Sequence, residues 1–279
     1  MIQKSYDDSA SLFLIPTPIG NLEDITIRSL NVLKTVDIIF CEDTRDTGLL
    51  LKNYDIKKQL VSCHEFNESK IIDKAISYLK EGYNIGLVTD QGTPIISDPG
   101  YIISRGVINA GYNVIGLPGA TAFVPALIMS GIEASPFLFY GFLNSKNSKQ
   151  LKELESLKSI SYTMIFYESV HRLEDTLKNM LTVFGDRDIA LCREISKIHE
   201  EVIRDKISNI IPISSDLKGE FVLIVHGCDE KFDFSNLNVL EHVKLYLDDG
   251  LSEMEALKKV AKERGVSKSV IYSEYHRKK

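Results

Sequence analysis

The chain has only four cysteines in 279 residues, Cys41, Cys63, Cys192 and Cys228, and they form no CxxC pair. Such scattering gives no zinc-type spacing and no disulfide framework. Cys41 and Cys192 lie in apolar runs, as expected of buried thiols in a reducing, cytoplasmic setting, and no metal is expected. No apolar run approaches the ~20 residues that a membrane span needs, so no membrane partner is expected. The opening MIQKSYDDSASLFLIP lacks the basic start and long apolar core of a secretory leader. There is no low-complexity run. The absence of GxGxxG and of GxxxxGK[ST] leaves a dinucleotide or P-loop site without support.

Composition is that of a globular chain, 44% hydrophobic and 26% charged, and the length suits two domains of ordinary size. The net charge of −6 is uneven. Residues 251–279 hold eight Lys/Arg against four Asp/Glu, and the remaining residues hold 25 against 35. An acidic body argues against general nucleic-acid adhesion, DNA included, while a basic tail permits a local contact.

From the N-terminus, short apolar strands alternate with helices. Strands are expected at 12–16, 36–41, 60–63, 85–88 and 113–117, with helices following at about 27–33, 70–79, 101–110 and 123–129. Asp24 is the expected cap of the first helix. Five such units predict a parallel, three-layer α/β domain over residues 11–125. The polar and glycine-rich clusters all fall at strand carboxyl ends, where open α/β sheets bind ligands. These clusters are Thr17-Pro18-Ile19-Gly20, Glu42-Asp43-Thr44-Arg45, His64, Thr89 to Gly100, and Pro118-Gly119-Ala120-Thr121-Ala122. The densest is LVTDQGTPIISDPG, Leu87 to Gly100, whose prolines and glycines after a buried strand predict a rigid binding loop. For Glu42 to Arg45 a solvated helix start capped by Asp43 or Thr44 is the competing reading.

Past residue 125 the texture changes. FLFYGF at 137–142, a charged helix at 146–157, strands at 161–167, 188–192, 200–204 and 220–226, and one main helix at 173–184 predict a second α/β domain, 126–228. Its sheet is expected to be mixed or antiparallel. Glu168 to Arg172 is expected to open the 173–184 helix, and a polar connection to join the last two strands. Residues 229–238 read as a linker. A helical C-terminal module, 239–279, follows, with Ser252 and Glu255 spaced as a capping box. Its paired short helices suit either a helix-turn-helix-like contact or a packed appendage.

Taken together, Pro16 to Leu22, Glu42 to Arg45, Asp90 to Gly100, Phe166 to Arg172 and Arg193 to Lys197 resemble the class III, tetrapyrrole-methylase superfamily of methyltransferases. Within it they are most similar to the small-subunit ribosomal RNA cytidine-2′-O-methyltransferases. The resemblance spans about residues 12 to 227. It implies a homodimer of two-domain protomers that binds S-adenosylmethionine (SAM) in the cleft between the domains. The implied substrate is a cytidine ribose in the decoding region of 16S rRNA in the small ribosomal subunit. It sets the cofactor against Pro18, Asp90, Gly92, Thr93, Pro94, Thr121, Ala122 and Tyr167. Departures from the family pattern are Gln91 where alanine is usual, Ala120-Thr121, Val170, and the region after His64.

Methyl transfer to a ribose hydroxyl needs in-line positioning and profits from a general base. Asp43, His64, Glu168, His171 and Lys197 are candidates. Asp43 and Glu168 are favoured because each follows an apolar strand where desolvation would raise its basicity. Arg45, Arg172 and Lys197 are candidate phosphate contacts, and His64 and His171 complete the expected substrate side. Two other readings stay open: methylation of a small tetrapyrrole on the same fold, and a SAM-binding ribosome-assembly protein without turnover.

Overall fold

A computed structural model describes residues 3–5, 7–64, 68–228, 237–248 and 250–278; of Glu68, Ser69 and Lys278 it describes the backbone only. Two compact units emerge. One comprises residues 1–158 with 162–227, the other residues 159–161 with 228–279.

The larger unit begins with β1 (Ser11–Leu14), α1 (Ile27–Thr35), β2 (Ile38–Cys41), α2 (Thr44–Asn53), β3 (Gln59–Ser62), α3 (Glu68–Lys80), β4 (Ile85–Val88), α4 (Tyr101–Asn109), β5 (Asn113–Gly116) and α5 (Phe123–Met129). The five strands form a parallel sheet in the order β3-β2-β4-β1-β5. All residues of β2 and β4 are buried. Alternation sends Ile38 and Phe40 to one face, among Leu79, Ile103 and Val107 of α3 and α4. It sends Ile39 and Cys41 to the other, among Leu33 and Leu51 of α1 and α2. A sheet covered on both faces is the physical basis of a parallel fold, and each such side chain contributes about 1.5–3 kcal/mol. Cys41, Cys63 and Cys192 are buried as thiols; burial pushes the Cys192 thiol up to about 12.

The unit continues with β6 (Phe137–Phe142), α6 (Asn147–Leu157), β7 (Thr163–Ser169), α7 (Leu173–Phe184), β8 (Asp188–Arg193), β9 (Glu201–Lys206), α8 (Ile207–Ser214) and β10 (Glu220–Val225). Their sheet runs β6-β7-β10-β8-β9. The β6–β7 pair is parallel and the rest are antiparallel, so the sheet is mixed. The last strand therefore lies at the centre. Ile165, Ala190, Cys192, Val222 and Ile224 face Ala126 and Leu127 of α5 in one apolar cluster.

The second unit holds α9 (Val239–Asp248), α10 (Glu253–Glu263) and α11 (Lys268–Lys278), packed through Val243, Leu257, Val260 and Ile271. The Ser252–Glu255 capping box is present. His242 is fully buried between Glu263, 3.0 Å from Nε2, and Arg264, whose Nε donates to Nδ1 at 3.1 Å. No described helix is long and apolar enough to cross a membrane.

Three local expectations are corrected. Thr26, not Asp24, caps α1, accepting from the Ser29 N–H, because Leu22–Asp24 winds into a separate 3-10 turn. Strand β7 runs through Ser169, since its pairing with β10 extends to Ser169 opposite Glu220, so Glu168 ends a strand instead of opening a helix. The connection before β10 contains α8. Its Pro212 reads as a helix breaker, but burial of Ile207 and Ile210 outweighs that preference. The stretch after His64 and most of the 229–238 linker lie outside the described residues.

Gly119 lies hard against β1. A Cβ there would stand 2.3 Å from the Pro16 Cβ, which belongs to a rigid ring. Gly119→Ala is therefore expected to lower unfolding stability by about 1–3 kcal/mol through overpacking, read as a lower urea midpoint with unchanged slope.

Candidate active site

At the carboxyl ends of β1, β4 and β5 the two sheets of the larger unit enclose a cleft of about 290 Å³, near the lower end of ligand-pocket sizes, roughly 300 Å³. The parallel sheet supplies Ile19, the loop from Gln91 to Asp98, and Thr121-Ala122. The mixed sheet supplies Phe142, Tyr167 to Ser169, and Glu220 to Val222, with Ile195 from the turn after β8.

The loop after β4 is fixed at several points. Thr17 and Gly92 form an antiparallel bridge, N–H to carbonyl at 2.9 Å one way and 3.1 Å the other. Gly92 has φ +82°, a conformation glycine accepts freely. The Thr17 hydroxyl donates to the Thr89 carbonyl and that of Thr93 to the Ala120 carbonyl. Further on, Ile95 and Ser97 have φ of 78° and 65°. For a β-branched residue this is an outlier, worth roughly 1–3 kcal/mol of strain. The turn is closed by Ile95 N–H donating to Pro99 O (3.2 Å) and Ile96 N–H to Thr93 O (3.3 Å). Backbone strain held this firmly, at a cleft, marks a loop shaped for a ligand.

The expected residues separate into those that meet and those that do not. Gly92, Thr93, Thr121, Ala122, Tyr167 and Glu168 line the cleft together. Pro94 is buried within the loop, and Pro18 lies between Thr17 of the bridge and Ile19 of the cleft wall. Asp90 stands at the β4 end and accepts from the Asp43 N–H at 3.2 Å. Asp43 itself caps α2, accepting from the Arg45 N–H at 2.7 Å, and its carboxylate pairs with the exposed Arg45 side chain at 2.6 Å. That guanidinium holds the Asp43 carboxyl well below the usual carboxylate range. The basicity expected of Asp43 is therefore corrected: an ion pair, not desolvation, governs it.

Glu168 is 2% exposed. Its carboxylate accepts from Ser169 N–H (2.8 Å) and the Thr176 hydroxyl (2.6 Å), and Arg172 Nε lies 3.5 Å away. Arg172 also donates to the carbonyls of Leu143 and Asn144, so it turns inward and braces the turn before α7. His171 is exposed beside it, and His64 is half-buried at the end of β3, the edge strand of its sheet. Lys197 Nζ lies between Glu220 (2.7 Å) and Glu194 (3.2 Å). Burial opposes its charge, but the two carboxylates prevail and raise its pKa, which keeps it an ammonium and disfavours a base.

Asp98, in the same loop, also lines the cleft. Burial, reinforced by Glu42 and Asp90, pushes it up to about 7. Burial also raises Asp90, and Asp43 and Asp46 add to it. Tyr167 is pushed up to about 12, first by burial, with Asp98 nearby. Its ring meets Phe139 and Phe142 edge-on, centroids 5.1 and 5.5 Å apart. The β10 contribution went unseen in the sequence because it depends on pairing: Val222 opposite Tyr167 and Phe221 opposite Glu168.

The model of the Tetrapyrrole (Corrin/Porphyrin) Methylases matches residues 11–211, which include every cleft-lining residue except those of β10. The chain belongs to the tetrapyrrole methylase family. It is 46% identical over 277 residues to the ribosomal RNA small subunit methyltransferase I of Bacillus subtilis (strain 168), covering 96% of this chain and 95% of that one. With the protein of the same name from Escherichia coli O157:H7 it shares 38% identity, covering 97% and 96%. Among solved folds, uroporphyrin-III-C-methyltransferase from Thermus thermophilus superposes with a TM-score of 0.57 at 19% identity, over 78% of this chain and 94% of that one. The methyltransferase CobJ gives 0.60 at 16%, over 79% and 95%. At these identities the likeness is one of fold.

The raised pKa of Asp98 makes a stability statement. The folded protein holds that proton up to about pH 7, whereas an unfolded aspartate releases it near pH 4, so this site's contribution is lost as pH rises between the two. Asp98→Asn protein should melt at the native temperature near pH 4 and above it at pH 8, as differential scanning calorimetry would record.

Proposed function

We propose that this chain is a cytoplasmic methyltransferase that uses SAM to methylate small-subunit ribosomal RNA, at the 2′-oxygen of a cytidine ribose in the decoding region. Near-full-length identity of 46% to a protein named for that RNA carries the reading. Membership in a methylase family makes SAM the methyl donor.

The cleft's chemistry fits that donor. Phe142 and Tyr167 offer an aromatic wall, with Ile19, Ile195 and Val222 as apolar lining. The loop backbone at Gln91 to Thr93 offers N–H and C=O groups for polar ends. Burial raises Asp98, and Glu42 and Asp90 add to it, so the acidic groups around the cleft favour a cationic ligand and disfavour a polyphosphate. Bound there, SAM would supply a methyl group already activated on a sulfonium. Residues Gly92, Thr93, Thr121, Ala122 and Tyr167 would hold it, and Thr17, through its bridge, would keep the loop in place. Gln91, larger than the usual alanine, lies on the lining and narrows the cleft. Arg45, 87% exposed outside the cleft, is suited to a phosphate, which positions RNA without reading its sequence. Arg172 and Lys197 hold internal partners and act on the substrate side by shaping the cleft wall.

Labelled methyl transfer from SAM to purified small subunits lacking the modification should mark 16S rRNA at one cytidine ribose. Gly92→Arg protein, with strained backbone and a blocked cleft, should neither bind SAM in titration calorimetry nor label RNA. Label on a tetrapyrrole acceptor instead would reassign the substrate, and SAM binding without any transfer would favour the assembly-protein reading.

A homodimer completes the proposal. Ile27, Ile128 and Ile198 stand 78%, 72% and 94% exposed, and their neighbours Thr26, Met129 and Ser196 line one groove. Exposed aliphatics beside a common groove favour a protein contact. Light scattering should give twice the 31.4 kDa chain mass, and Ile198→Asp should shift it toward the monomer; a native monomer would sink this part.

A further inference from the structure

We infer that Asp98 is the catalytic base of this site, taking the proton of the attacking hydroxyl. The inference rests on the methyltransferase reading above and assigns within it the one role that the geometry of the expected candidates leaves vacant.

Three carboxylates line the cleft: Asp98, Glu168 and Glu220. Glu168 has both oxygens engaged, one by Thr176 and one by Ser169, with Arg172 beside it. Its lone pairs are committed to the protein and it is shielded from a substrate. Glu220 is held in an ion pair by the Lys197 ammonium at 2.7 Å. Asp98 makes no hydrogen bond or ion pair with the described residues, although it is partly buried. A carboxylate in that position accepts a proton without first breaking a protein contact.

The loop gives it direction. The left-handed Ile95 and Ser97 and the Ile95–Pro99 hydrogen bond set the backbone on both sides of Asp98. Strain tolerated next to a cleft carboxylate indicates that its placement is selected by the site and not by local preference. The groups facing it are Glu42 from the end of β2, Asp90 from the end of β4 and Tyr167 of β7; further along the cleft stand Glu168 and Glu220, the latter with Lys197. Glu42 and Asp90, together with burial, bring its pKa to about 7, close to where a general base works best at neutral pH. A solvated aspartate near 4 would be a far weaker acceptor.

In the step, the ribose O–H bond breaks and its proton passes to an Asp98 oxygen. The hydroxyl oxygen forms its bond to the methyl carbon as the sulfur–carbon bond of the donor breaks, and the sulfur keeps that electron pair as a neutral thioether. Asp98 then releases the proton to water. No oxidant or further co-reactant is required.

The test compares native protein with Asp98→Asn and Asp98→Glu, measuring SAM affinity by calorimetry and labelled methyl transfer to small subunits against pH. Native kcat/KM should fall on the acid side of about pH 7, the limb that reports the free enzyme. The limb in kcat should move to lower pH, because a cationic donor in the same cleft favours the charged carboxylate. Asp98→Asn should lose roughly 10²–10⁴-fold in kcat and lose the acid limb, while folding and binding SAM. Asp98→Glu, which restores a carboxylate, should recover part of the rate together with the limb. Three results would overturn the assignment: an Asp98→Asn enzyme with native kcat, one whose loss lies only in SAM affinity and vanishes at saturation, or a native profile flat from pH 5 to 8. If the native enzyme labels no RNA, the activity reading itself fails; an active native enzyme beside an equally active Asp98→Asn enzyme rejects only the role of Asp98.

Discussion

The two backbone hydrogen bonds joining Thr17 to Gly92 are the constraint on which the site depends. They tie the segment leaving β1 to the loop leaving β4, so two neighbouring strands continue their association beyond the sheet edge. Without that tie, each segment would be an independent surface connection with the mobility usual for one. With it, Ile19 and Gln91 to Thr93 become one wall. Thr93 extends the same bracing to Ala120 through its hydroxyl, so three strand ends of the parallel sheet share one frame. The opposite wall comes from a differently built sheet, whose strands β7 and β10 present alternating residues to the cleft and to the core.

Charge follows the same geography. Glu42, Asp43 and Asp90 collect where β2 and β4 end, an arrangement that water would screen but partial burial strengthens. The protein offsets this repulsion unevenly. Asp43 receives Arg45 and the α2 N-terminus, Glu194 and Glu220 share Lys197, and Glu168 is surrounded by donors. Asp98 receives none of these, and burial, with Glu42 and Asp90 nearby, pushes its carboxyl up to about 7. Motif residues with strong internal partners serve the architecture of the cleft, and the one left without them is the one chemically disposed to exchange a proton.

Much of the fold was legible in the sequence because it rests on local patterns. Short apolar runs, each followed by polar, Gly or Pro residues, located all five parallel strands within two residues, and the capping box at Ser252 is as read. What failed had a nonlocal cause. Strand β7 outlasts its apolar run because β10 pairs with it, α8 forms despite Pro212 because its isoleucines find a core, and Asp24 lost its cap to a 3-10 turn. The site was legible as a set of motifs but not as a set of partnerships. That Asp43 is paired with Arg45, and Glu168 with Thr176 and Arg172, is a property of distances, and so is the contribution of Phe221 and Val222. Asp98 carried a usable signal: an acid directly before the second proline of a proline-bounded loop at a strand's carboxyl end.

The strand order β6-β7-β10-β8-β9 has a consequence for synthesis. The parallel sheet is complete once residue 116 has been made, and chains fold largely from the N-terminus as domains emerge. The mixed sheet instead receives its last strand into its middle. Until β10 inserts, β7 and β8 hold open, unpaired edges, and the cleft lacks the wall formed by Glu220 to Val222. The ligand site thus comes into being in one late event, after nearly all the residues that bound it are already in place, and a nascent chain stopped short of that strand would have a finished half-frame and no pocket.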